Sequence, residues 1–355
     1  MARTRLEWID VARGFALFLV VLLHVAPMLA LRGFPMSSHI TQADQILDCF
    51  RMPTLVMISG ILAAGVREWS WRDALRRRIG PLMLLYVVWG AIIAVAMALL
   101  LAGTFGDAAR DMLLMAVRPY IRVWYLFALA AYIALARALR SVPTAVVIPV
   151  AAVISVAAYA AWPAQGWPQG AESWLTVPQH WIFFVCAERG VKFYRALAAH
   201  TRPLLAVGMC ALFASAGLLL WSLGLLEGAS HPRSAVPALV LSLVGTLVTV
   251  TVFPLIGHWR AMGWARAMGR YSLGIYATHY VVGVAGVLAV APHVREIRGP
   301  GVGLIVPLAV VVAVAAASYW LTRAIDRWAP VPLLRPWWDT TAQAAEPRGA
   351  VAQAQ

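Results

Sequence analysis

Apolar runs long enough to cross a lipid bilayer recur from one end of this chain to the other, and that recurrence limits its fold more than any other feature. About 20 such residues span the roughly 30 Å hydrocarbon layer. Inside that layer each backbone N–H and C=O must find its partner within the protein, which favours helices. Ten runs are read at 11–31, 50–66, 79–103, 123–139, 143–162, 179–191, 203–226, 235–257, 271–291 and 301–322. Hydrophobic residues make up 62% of the 355 and charged ones only 12%, far from the mix of a soluble domain. The expectation is an all-α, polytopic membrane helix bundle of about ten transmembrane helices. Residues 1–338 form a single domain, and the polar, Ala/Gln-rich stretch 339–355 reads as a disordered cytoplasmic tail.

The net charge of +14 raises the question of nucleic acid, but the basic residues sit in short segments between the runs. With the N-terminus inside, 21 of the 29 basic residues fall on the cytoplasmic side, which orients the chain. An even number of spans places both termini in the cytoplasm. The first run exceeds a signal-peptide core in length and carries His24, so it is read as uncleaved. Cys49, Cys186 and Cys210 are scattered in or beside apolar runs and read as packing residues, without a disulfide framework. No repeat of fixed period, nucleotide loop or Gly-x-Ser-x-Gly elbow is present.

Arg13 and His24 lie eleven positions apart in the first run. At about 100° and ~1.5 Å per residue they share one helix face, ~16 Å apart in depth. Ionisable groups within a span are costly, so a functional role is the default reading. A neutral imidazole at His24 can take and return a hydroxyl proton; the bland alternative is a buried histidine bonded to a neighbouring helix. For Arg13 the bland alternative is an interfacial anchor. Asp10, three residues earlier, is placed to pair with it.

Further runs carry polar residues. Phe50-Arg-Met-Pro53 opens the second run, with its proline read in the first helical turn, and Ser59-Gly60 permits close packing or a break. Arg76, Arg77 and Arg78 precede Pro81 at the inner mouth of the third run, either as topology anchors or as a clamp for phosphates. Trp124 and Tyr125 open the fourth, where such a pair ordinarily belongs to an interfacial aromatic belt. In the ninth run Tyr271, Ser272, Tyr276 and His279 fall on or near one face. Glu188 stands beside Arg189, and His180 lies at the outer end of the sixth run; no histidines are spaced as metal ligands.

Taken together these runs resemble the membrane acyltransferase family 3, polytopic bacterial enzymes that O-acylate glycans. The resemblance spans Ile9-Asp10 to Arg327. It rests on order: Arg13 and His24, then Phe50-x-Met-Pro to Ser59-Gly60, the arginine cluster ending at Pro81, Trp124-Tyr125-Leu126, and Gly269-x-Tyr-Ser-Leu-x-Ile-Tyr-x-x-His279. It implies transfer of an acyl group, commonly acetyl, from cytoplasmic acyl-CoA to a sugar hydroxyl on a lipid-linked or exported glycan, in the bacterial cytoplasmic (inner) membrane. His24 is then the general base or a transient acyl carrier, and His279 with Tyr276 completes the polar centre. Arg13, Arg76, Arg77 and Arg78 hold the donor, while Asp10, Trp124, Tyr125, Ser272 and Tyr276 line the substrate site. The co-substrate expected is acyl-CoA (acetyl-CoA), with no metal; the partners are membrane lipid and a glycan acceptor, with no nucleic acid.

One departure stands out: many members carry a histidine two residues before the Trp of the fourth run, where this chain has Arg122. Some members are fused to a periplasmic esterase-like domain, and transfer here is expected to be completed by this chain alone or with a separate partner. Two other readings use the same buried polar residues: a glycan or lipid transporter or flippase, and a non-catalytic scaffold for a polysaccharide synthase.

Overall fold

The computed structural model describes residues 7–328 apart from 102, 121, 162–171, 227–231, 295, 298 and 300. The tail 339–355 lies outside the described residues. These form thirteen helices and no strand. In order they are α1 (Glu7–Leu31), α2 (Ser38–Ala63), α3 (Trp71–Leu100), α4 (Phe105–Met115), α5 (Trp124–Ala138), α6 (Thr144–Ala160), α7 (Glu172–Arg189), α8 (Val191–Ala199), α9 (Pro203–Ser222), α10 (Pro232–Ile256), α11 (Gly263–Arg270), α12 (Ser272–Val294) and α13 (Val302–Trp328). Seven of them, α1, α2, α3, α9, α10, α12 and α13, are long and apolar enough to cross a membrane. The other three runs fall on α5 and α6, apolar helices of 15 and 17 residues, and on α7. That helix has 18 residues and buries Thr176, Gln179, His180 and Glu188 among its apolar side chains.

Two helices start earlier than their apolar runs. The α2 helix begins at Ser38, where the Ser37 side chain accepts the His39 N–H, one of the amides that a helix start leaves unpaired. Its polar first half stays helical because Asp44 and Asp48 pair with Arg51 one and two turns on. Pro53, expected in the first turn, therefore sits in the helix interior. There it cannot donate to the Cys49 carbonyl, a loss that neighbouring membrane helices accommodate. Likewise α3 begins at Trp71, so Arg76, Arg77 and Arg78 lie inside the helix, in a π turn over Leu75–Ile79. At the opposite end of the bundle, Thr104 and Asp107 cap α4 reciprocally. The Thr104 N–H and hydroxyl hold the Asp107 carboxyl below its usual range.

The chain alternates between two ends. At one, Glu7 lies 3.6 Å from Arg266, Arg67 pairs with Glu188, and Arg189 donates to the Leu139 and Val142 carbonyls. At the other, the Ser37 N–H donates to the Gly303 carbonyl at 3.0 Å. The α1 helix runs through the middle, packed on α2, α10, α11, α12 and α13. Its approach to α11 is backbone on backbone: a Cβ on Gly14 would collide with the Ala265 carbonyl, and one on Gly269 with the Asp10 carbonyl. Gly60 is pressed in the same way against the Phe184 carbonyl of α7, so Ser59-Gly60 marks close packing.

Candidate functional site

On α12, Tyr276, His279 and Tyr280 are spaced i, i+3, i+4 and so share a face. Turned toward them from α1 is His24, with ring centroids 5.3 Å from His279 and 5.3 Å from Tyr280. His279 is 1% exposed. Its Nδ1 lies 2.7 Å from the Tyr276 carbonyl, and a carbonyl only accepts, so Nδ1 carries the proton and Nε2 the lone pair. That Nε2 is buried and has no hydrogen-bond partner among the described residues. His24 is half-buried.

The next layer comes from α5, which begins inside the bundle rather than at its edge. Trp124 and Tyr125 are both buried, so they form no interfacial belt; the segment before them is held inward by Tyr86, whose hydroxyl accepts the Tyr120 N–H at 2.8 Å. Val123 offers α5 no side-chain cap. Instead the Tyr125 N–H donates to the Tyr276 hydroxyl at 3.3 Å, and the two rings meet at 5.2 Å. The Tyr125 hydroxyl in turn donates to the Leu55 carbonyl at 3.1 Å and lies 2.8 Å from the Ser59 hydroxyl. Tyr276→Phe strands a buried amide, at a cost of about 1–3 kcal/mol. The expected result is a lower thermal-unfolding midpoint for the purified protein in detergent; an unchanged midpoint contradicts this capping role.

Two arginines flank the rings. Arg122 donates to the Tyr120 hydroxyl at 2.7 Å, lies 3.6 Å from Asp111, and places its guanidinium 5.1 Å from the Tyr280 ring centre. Arg51, only 1% exposed, donates to Asp44 at 2.7 Å and Asp48 at 3.0 Å. Both are close enough to His24 for their charge to act on it. Arg51 is therefore an interior group. His180 of α7 stacks 5.0 Å from Trp124.

Other expected site residues lie deeper along the bundle. Arg13 is close enough to Tyr125 for its charge to bear on that phenol. Asp10 is buried, with a carboxylate oxygen 4.0 Å from Arg270. Ser272 is buried in the first turn of α12, ~10 Å along the axis from His279. Arg76, Arg77 and Arg78 are exposed, with Arg77 3.2 Å from Asp73. Their turn packs beside α5, where Trp71 stacks on Arg137, ~18 Å along that helix from Tyr125. Tyr125, Tyr276, His279, His24, Tyr280 and Arg122 thus form one chain of neighbours, with the Arg13 charge reaching its Tyr125 end, while the three clustered arginines stand apart at the basic end.

Sequence reasoning passed over Arg51, His180 and Tyr280. His180 carried the signal that singled out His24, an imidazole in an apolar run. Arg51 had a nearer clue in Asp44 and Asp48, one and two turns back. An apolar groove of about 460 Å³ between Phe15, Phe18, Trp264, Met268 and Tyr319 lies on the face of α1 turned away from Arg13 and His24. Among the described residues no three His, Cys, Asp or Glu side chains gather as metal ligands.

A family model described as an acyltransferase domain matches residues 6–323. No curated protein and no solved structure matches the chain.

Proposed function

Because the chain belongs to the acyltransferase family 3, we propose that it transfers an acyl group, acetyl by preference, from cytoplasmic acyl-CoA to a hydroxyl of an exported or lipid-linked glycan in a bacterial inner membrane. The observation that carries this reading is the pairing of His24 with His279, two imidazoles 5.3 Å apart at the crossing of α1 and α12. A hydroxyl is a poor nucleophile until its proton is removed, and in this reading His24 removes it. As the carbonyl carbon is attacked, its oxygen gains negative charge, which the Arg51 and Arg122 guanidinium groups stabilise from fixed positions.

The arrangement also suits the shape of the donor. Coenzyme A has a polyanionic head and a long thin arm ending in the thioester. Arg76, Arg77 and Arg78 supply exposed donors for the head, and ~18 Å along α5 separates that turn from the rings. The charge of Arg13, which reaches Tyr125, orients the arm. The acceptor approaches from the Arg122 side.

Mass spectrometry of surface glycans from cells with and without the gene tests the proposal. The expected difference is one acyl group per modified sugar. Equal acyl content with altered glycan export would favour a transporter instead and overturn the acyltransferase reading.

A further inference from the structure

We propose that His279 is the covalent carrier: its Nε2 takes the acyl group from the thioester and hands it to the acceptor, so that the reaction runs in two halves with His24 as the base of the second. This deepens the acyltransferase reading above and rests on it.

Three observations lead here. The Tyr276 carbonyl fixes the tautomer by accepting the Nδ1 proton at 2.7 Å, which leaves the Nε2 lone pair available at all times. That nitrogen is nevertheless buried and without a partner among the described residues. Burying an unpaired acceptor is costly, and a polar atom left so in a packed interior calls for a reason. The Ser59 hydroxyl is already engaged: it donates to the Leu55 carbonyl at 2.9 Å and meets the Tyr125 hydroxyl. His24 differs on both counts. It is half-buried, and among the described residues no carbonyl holds its ring in one tautomer, so either ring nitrogen can face the acceptor hydroxyl.

The steps balance. In the first half the Nε2 lone pair of neutral His279 attacks the thioester carbonyl carbon, the C–S bond breaks, and the coenzyme leaves as a thiolate. The product is an N-acylimidazolium, whose positive charge is stabilised by the N–H still donating to the Tyr276 carbonyl. In the second half the acceptor hydroxyl attacks the same carbon while His24 removes its proton. The C–N bond breaks, returning neutral His279 and the ester. The proton on His24 passes through solvent to the thiolate, which leaves the net exchange as thioester plus alcohol to ester plus thiol.

Purified full-length protein is mixed with acetyl-CoA radiolabelled in its acetyl group, with no acceptor present. The expected result is a burst of about one free thiol per chain, with hydroxylamine-labile label retained on the peptide holding His279. His24→Ala should keep the burst, and His279→Gln should lose it while eluting as a folded, monodisperse protein. Label on the peptide holding His24 overturns the assignment. So does turnover with a glycan extract but no labelled chain, since transfer would then be direct, with the acyltransferase reading intact. Thiol release neither alone nor with the extract removes that reading and the carrier with it.

Discussion

His24→Ala lowers the rate of acyl transfer by about a thousandfold, within the range that a positioned base contributes. The loss is expected in kcat, because the ring acts on a proton that moves only as the ester forms. It is measured as acyl content of surface glycan at matched expression and, with purified protein, as thiol release sustained beyond the first turnover. The fold should survive: the imidazole is half-buried, touches the His279 and Tyr280 rings, and among the described residues fixes no backbone group. A variant that keeps its elution profile and retains full transfer activity contradicts the base assignment.

Glu188→Ala costs about 3–5 kcal/mol of stability, the range for removing one partner of a buried ion pair. Glu188 is 1% exposed and holds Arg67 through one oxygen and Arg189 through the other, the latter at 3.2 Å. Arg189 is itself 3% exposed and donates to the Val142 carbonyl at 3.0 Å and the Leu139 carbonyl at 2.6 Å, just past the end of α5. Without the carboxylate the buried Arg189 guanidinium is left unpaired beside the partly exposed Arg67, and the arginine that ties α5 to α7 loses its anchor. The expected readout is a much reduced yield of folded protein and a lower midpoint of thermal unfolding. A shift below about 1 kcal/mol would mean that water screens the site and that the pair carries little.

The parts of this structure that show in the sequence are those set by hydropathy and local spacing. Each of the ten apolar runs lies on a helix, and the imidazoles at His24 and His279 announce themselves because ionisable groups are rare at that depth. Helix starts were less visible. A hydropathy window registers Phe50 onward, whereas the serine cap and the Asp44, Asp48 and Arg51 pairing extend α2 through a polar stretch. Trp124 and Tyr125 look like an interfacial pair from their position at the edge of a run; only the inward placement of Tyr120, pinned by Tyr86, puts them in the interior. Contacts such as Arg122 on Tyr280 join positions far apart in the chain, and no spacing rule within one sequence encodes them.

Glycines 14 and 269 leave α1 and α11 no clearance between their main chains. Sliding or rolling one past the other would force carbonyls into methylene carbons, so this flank behaves as a fixed wall bearing Arg13. Any breathing that admits a bulky substrate must then happen across from it, where α5 stops short of the surface and the Tyr276 phenol accepts an amide of its leading turn.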